Sequence, residues 1–204
     1  MESAVRQGAR PTAYLVAIRT AKQEILIANA YFFPGIRIRR ALISAAERGV
    51  RVTLLLQERV EYALLHYASR ALYGQLLAAG IGIQEYHLSF LHAKVAVVDD
   101  AWATVGSSNI DPYSLLMARE ANVVVRDPAF GGQLRSELAQ MIDRGARPLA
   151  PQQWAGRPRA YKALVWIAYG IVRVAMGLMG YGGNEWFGVG FPQRLPRARP
   201  DEAS

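Results

Sequence analysis

The chain has 204 residues, enough for one sizeable core with an appendage. It has no cysteine, which excludes a disulfide framework and a thiolate metal site, and only three histidines, which argues against a zinc cluster. A net charge of +8 and a pI near 10.0 point to an anionic partner, but a hydrophobic fraction of 52% is high for a nucleic-acid binder and turns attention to an acidic membrane surface.

Residues 1–11 carry Glu2, Arg6 and Arg10 and no apolar stretch. They read as neither a signal peptide nor a spanning segment, so the domain is expected to stay on the cytosolic side. Thr12 can cap a helix over 12–23, with Leu15 and Ile18 facing inward. Residues 24–30 form a buried strand, and Tyr31, Phe32, Phe33, Pro34 and Gly35 follow as a loop. Ligands of open α/β sheets bind beyond the carboxyl ends of strands. Tyr31 and Phe33 are therefore candidate pocket residues; the other reading is a staple for the next helix.

A helix is expected over 36–48, ended by Gly49. Arg37, Arg39 and Arg40 make its start basic, either as a solvated face or as phosphate-catching groups. A strand follows over 50–56, then one long helix over 61–79 ended by Gly80, then a strand over 81–86. His66 falls inside that helix and reads as a packed or surface histidine. His87 ends the last strand and reads as a rim residue.

The centre of the chain is the run His92-Ala93-Lys94-Val95-Ala96-Val97-Val98-Asp99, followed by Gly106-Ser107-Ser108-Asn109. Its small and β-branched residues make a buried strand. His92 and Lys94 are two apart and share a face, while Asp99 points to the other and is placed to brace backbone. A second strand over 102–105 leads to Gly106, where Ser107 and Asn109 can meet the same site. This set fits attack on a phosphodiester. An imidazole is a nucleophile or acid, a lysine holds phosphate as a point charge, and Ser107 and Asn109 add neutral donors. Six fixed positions at this spacing arise by chance in roughly one chain in a few hundred thousand.

Strand 120–126 and a helix from Pro128 to Arg144 complete the alternation. Residues 149–160, rich in Pro, Gln and Arg, read as a linker. Residues 163–181 are almost unbroken apolar, near the length that spans a bilayer, but Arg173 and three glycines weaken a spanning role. With Trp166, Tyr169, Tyr181 and Trp186, and with Arg159, Lys162, Arg194, Arg197 and Arg199 around it, the segment reads as an anchor embedded in or lying on the membrane; the other reading is a helix packed on a partner domain.

The H-x-K-x4-D-x6-G-S-x-N pattern resembles the phospholipase D superfamily, whose mark is the HKD motif. Within it the likeness is to bacterial cardiolipin synthases of the B type. It is carried by residues 28–35, Arg48-Gly49-Val50-Arg51-Val52, the HKD stretch, Asn109-Ile110-Asp111-Pro112, Glu120-Ala121-Asn122 and residues 180–187. The resemblance implies an α/β sandwich with a mixed sheet flanked by helices, plus a C-terminal hydrophobic helix. With the composition of the later segments, the chain divides into a catalytic half-domain over 1–148, a linker over 149–160 and a membrane-associating tail over 161–204. His92, Lys94 and Asp99 would be catalytic, with Ser107, Asn109 and Glu120 supporting. Glu120 would orient His92 through its other ring nitrogen. Tyr113 and Ala118 depart from the family, which often has arginine and asparagine there.

Such synthases carry two HKD motifs, and this chain has one; it looks like the C-terminal half. One histidine attacks phosphorus and another protonates the leaving alkoxide, so a second motif must come from a homodimer or a separate N-terminal half. The implied activity is transfer of a phosphatidyl group to phosphatidylglycerol through a phosphohistidine, at the cytoplasmic face of the inner membrane. No metal or organic cofactor is implied. Two alternatives stand: a dimeric single-motif phosphodiesterase on nucleic acid, and a non-catalytic half-domain that binds acidic lipid.

Overall fold

The computed structural model describes residues 6–7, 11–111 and 121–177. An eight-stranded mixed sheet has the order β1-β7-β6-β5-β2-β3-β4-β8. Its strands are β1 (Arg6–Gln7), β2 (Glu24–Asn29), β3 (Arg51–Gln57), β4 (Gly82–Tyr86), β5 (Lys94–Val98), β6 (Trp102–Gly106), β7 (Asn122–Val125) and β8 (Ala146–Pro148). The helices are α1 (Pro11–Thr20), α2 (Ile36–Glu47), α3 (Ala63–Arg70), α4 (Tyr73–Ala78), α5 (Pro128–Gly145), α6 (Pro151–Ala155) and α7 (Arg159–Met176).

β2, β3 and β4 are parallel, and β5 runs antiparallel to β2. The alternation of strand residues explains the layers. Ile25 and Ile27 of β2 pack with Leu15 and Ile18 of α1 and Leu42 of α2. Leu26 and Ala28 point the other way and pack with Leu138 of α5. The sheet is thus covered on both faces, as the apolar runs of its central strands require. Asp127 caps α5 by accepting the Phe130 N–H at 2.9 Å, with Pro128 at the first helical turn. Gly49 follows α2 at φ 88°, a left-handed position that suits glycine.

Two expectations change. The long helix over 61–79 is two helices, α3 and α4, broken at Ala71 and Leu72, whose N–H groups bond i−3 carbonyls at 3.2 Å. The break serves packing. Ala68 of α3 joins Phe33, Ala168 and Val172, whereas Leu72, Tyr73 and Leu76 turn into the sheet core. Residues 149–160 are not a bare linker. Leu149 and Trp154 are buried in the main core, and the Trp154 ring lies 5.4 Å from that of Tyr73. Two well-spaced apolar side chains suffice to pin a segment whose composition is otherwise polar.

The apolar tail segment forms α7, but among the described residues no helix is long and apolar enough to cross a membrane. Val165, Ala168 and Val172 of α7 are buried, with Ala168 and Val172 in a cluster against Phe33 and Ala68. Each valine so placed contributes about 1.5–2 kcal/mol. Tyr181, Trp186 and the basic residues after them lie outside the described residues, as do Tyr113 and Ala118.

Candidate active site

The site is assembled where β2 and β3 end and β5 begins. Lys94 pairs with Asn29 across the β5–β2 ladder, so the start of the motif strand meets the carboxyl end of β2. Successive N–H groups then bond across. Ala30 donates to the Ala93 carbonyl at 3.2 Å, and Tyr31 donates to Asn109 Oδ1 at 3.3 Å. Asn109 and the residue after His92 are therefore anchored to adjacent residues of one strand end. Phe33 N–H to the Ile110 carbonyl at 3.0 Å, and Ile110 N–H to Asn29 Oδ1 at 3.3 Å, zip the two loops together.

His92 is exposed at this junction. Lys94 is 6% exposed, and its Nζ donates to the His92 carbonyl at 2.9 Å. The ammonium thus pins the backbone that carries the imidazole and sets a positive charge beside it. With Asn109 Oδ1 turned to Tyr31, the amide NH2 is the end of that side chain left to donate to a ligand.

Asp99 is elsewhere. It lies at the far end of β5, about 20 Å along the strand from His92. Its carboxylate accepts the backbone N–H groups of Lys22, Gln23 and Glu24 at 2.7, 2.8 and 2.9 Å. Burial works against its charge, but these bonds and the Lys22 ammonium outweigh it and hold the carboxyl below its usual range. Asp99 and Asp100 have φ of 50° and 53°, the left-handed pair that a tight hairpin turn between β5 and β6 needs. Placing Asp99 among the catalytic groups is therefore corrected. Its role is to brace the turn and the segment entering β2; it sits in the turn just past β5, not on the strand.

Ser107 is also turned from the site. Its Oγ accepts the Ala121 N–H at 3.2 Å and donates to the Ala121 carbonyl at 3.4 Å. The hydroxyl is spent on closing the loop against β7. Gly106 is needed here, because a Cβ would sit 1.8 Å from Asn122 Oδ1 and 2.5 Å from the Ala121 carbonyl. Glu120 lies outside the described residues.

Of the two candidate pocket aromatics, Tyr31 lines a small concavity with Gln57, His66 and Ser69, and its hydroxyl donates to Glu61. Burial and that carboxylate push the Tyr31 phenol well above its ordinary value. Phe33 does not line it. It is 1% exposed, and its ring lies 5.2 Å from that of Tyr169 on α7. Phe33 acts as the staple, because an apolar ring is better covered by α3 and α7 than left at a polar strand end. Arg37 and Arg40 are exposed and Arg39 is half-buried.

Three positioning residues escaped the sequence reading. Asn29 holds Ile110, Asn122 accepts the Ser108 N–H at 3.3 Å, and Gln57 accepts the Leu91 N–H at 2.6 Å. All three are buried. Each is the polar end of an apolar strand, the signal that was there to be read. Arg59 adds to Gln57: its Nε and Nη2 donate to the His87 and Leu88 carbonyls, and its guanidinium lies 5.7 Å from the Phe90 ring.

Residues 14–142 match the family described as cardiolipin synthase, PLD-like domain. The chain belongs to this family. Over 129 residues it is 46% identical to cardiolipin synthase B of Escherichia coli (strain K12), covering 63% of this chain and 31% of that protein. It therefore spans about a third of the length of such relatives. The crystal structure of Nuc, a phospholipase D family member from Salmonella typhimurium, superposes with a TM-score of 0.61 at 26% identity, covering 73% of this chain and 99% of that one. Phosphatidylserine synthase of Haemophilus influenzae Rd KW20 shares the fold, with a TM-score of 0.63 at 14% identity over 86% of this chain and 47% of that one.

Proposed function

We propose that this chain is one half of a phosphatidyltransferase that forms cardiolipin from phosphatidylglycerol. The observation that carries the reading is the exposed His92, whose backbone is held by the buried Lys94 ammonium, beside the Asn109 amide at the strand ends. The likeness to cardiolipin synthase B supports the lipid chemistry.

The nucleophile is the imidazole of a second HKD motif, from another copy of this chain or from a separate N-terminal half. That nitrogen attacks the phosphorus of phosphatidylglycerol and the P–O bond to glycerol breaks. His92, as imidazolium, gives its proton to the glycerol oxygen, leaving a phosphohistidine. Neutral His92 then takes the proton from a hydroxyl of a second phosphatidylglycerol. That oxygen attacks phosphorus, the P–N bond breaks, and cardiolipin leaves. Lys94 and the Asn109 amide stabilise the charge that builds on the phosphoryl oxygens. The reaction takes place at the cytoplasmic face of the cell membrane, and these steps call for no metal.

A second reading has one observation in its favour. The chain covers nearly all of a phospholipase D family member, Nuc, against a third of cardiolipin synthase B. The fold shared with that protein fits a single-motif phosphodiesterase working as a dimer.

The test is incubation of the purified chain with labelled phosphatidylglycerol, with and without a chain carrying a first motif, and separately with plasmid DNA. Cardiolipin plus free glycerol is expected, with His92→Ala lowering the rate by roughly 10²–10⁴-fold while circular dichroism is unchanged. Nicked DNA without cardiolipin supports the second reading. Lipid binding without product leaves a non-catalytic half-domain. Turnover that survives His92→Ala removes the mechanism.

A further inference from the structure

We infer that the outward face of α7 is a docking surface for an anionic bilayer, seated beside the catalytic loop; the inference rests on the lipid reading of the site. α7 buries Val165, Ala168 and Val172 against the domain. A surface helix should then show a polar opposite face. This one does not. Leu164, Trp166, Ile167, Ile171 and Val174 are 46%, 57%, 60%, 51% and 62% exposed. The residues between them that are not buried are Tyr169, Gly170 and Arg173, and the Arg173 guanidinium lies over the Tyr169 ring at 5.7 Å and bonds its hydroxyl at 3.1 Å. The helix is apolar on both sides, which leaves a contiguous apolar patch of the kind that marks an interaction surface.

Charge selects the occupant. α7 carries Arg159, Lys162 and Arg173 and no acidic residue, and the chain as a whole is +8. An apolar strip with a tryptophan, flanked only by cations, suits the interface of a membrane with anionic headgroups. Position agrees. Phe33, two residues after the Tyr31 that bonds Asn109, packs on Tyr169 of α7. Elsewhere among the described residues, exposed large apolar side chains are Val60, Tyr62, Leu88 and Phe90 on the loops after β3 and β4, and Val16, Leu64, Val105 and Phe130 scattered over other elements. The strip is thus tied to the strand end where a lipid phosphate would meet His92. In this arrangement α7 lies in the interface plane, one face on the domain and the other in lipid.

The absence of cysteine allows a clean test. Single variants Ile167→Cys, Ile171→Cys and, as a reference on α5, Phe130→Cys are labelled with an environment-sensitive fluorophore on the full chain. Mixed phosphatidylethanolamine and phosphatidylglycerol vesicles are then added. The labels at 167 and 171 should brighten and shift to the blue severalfold more than the label at 130, and less so with pure phosphatidylcholine. The double variant Ile167→Ser, Ile171→Ser should bind these vesicles at least tenfold more weakly with an unchanged melting temperature. Equal response at all three sites, or none, overturns the inference. So does a label at 167 that is already shielded without lipid, or that becomes so as protein concentration rises, which would assign the strip to this chain's remaining residues or to a second copy. Vesicle binding needs no turnover. Cardiolipin formation without insertion of α7 sinks this inference alone, and insertion without any transfer sinks the proposed reaction alone.

Discussion

Gln57 accepts the N–H of Leu91 at 2.6 Å, which ties the end of β3 to the residue just before His92. The acceptor is a buried amide on the third strand of the chain. The loop it holds also receives two hydrogen bonds from Arg59, two residues further on. The orientation of the His92 backbone is thus set from β3 and from Lys94, not by the motif alone.

Gln57→Met keeps the volume but removes the acceptor. It should cost about 1–3 kcal/mol, since the buried Leu91 N–H is left unmade. Urea unfolding measures the loss, and faster hydrogen exchange at Leu91 locates it. Turnover per folded molecule should fall while substrate affinity changes little, because His92 loses its position and not its chemistry.

Asp99→Ala should destabilise the fold by about 2–3 kcal/mol through three lost charge-assisted bonds, and Asp99→Asn by less. Activity per folded molecule should survive Asp99→Asn, because the side chain does not reach His92. The folded carboxyl titrates below its usual value. Its contribution is therefore present above the unfolded value, near 4, and is lost as pH falls through the lower folded value. Acid unfolding curves of wild type and Asp99→Asn should converge at the lowest pH.

Arg70 and Glu85 form an ion pair at 2.5 Å with 7% and 10% of their side chains exposed. Burial pushes the Glu85 carboxyl up, and Arg70 only partly offsets it. Glu85→Ala should cost about 3–5 kcal/mol by leaving the buried guanidinium unpaired. The double variant Arg70→Met, Glu85→Met should lie much closer to wild type in chemical denaturation. Equal losses for the single and double variants would mean that pairing is not what matters there.

His66 lies half-buried on the wall of the concavity. Burial, then Arg70, hold its imidazole down to about 4 from 6.5. Between those values the unfolded chain binds a proton that the folded one does not, so stability should fall as pH drops from 6.5 toward 4. His66→Phe should flatten that part of a stability–pH curve measured by thermal melting. A curve unchanged by the substitution would show that His66 is solvated.

Most of the architecture was legible because it follows from period. The apolar runs at Ile25, Leu54 and Val97 specify buried strands, and the glycines at 49 and 80 end helices wherever the chain goes next. The HKD pattern was legible because its six residue types at fixed spacing are rare by chance, although Asp99 and Ser107 prove to serve the scaffold. Long-range choices were not. Nothing local says that Ser107 will close on Ala121, that Phe33 will seek α7, or that Trp154 will turn a polar stretch into part of the core.

The sequence by itself determined the family and the buried strand that Lys94 opens two residues after His92, because hydrophobic period is local. Only the tertiary structure decided which polar groups serve the site and which serve the scaffold. A hydroxyl, an amide or a carboxylate takes whatever partner burial leaves within about 3 Å, and that depends on segments far away in the chain, as in the Ile110 N–H bond to Asn29 or the Arg135 bond to Glu24.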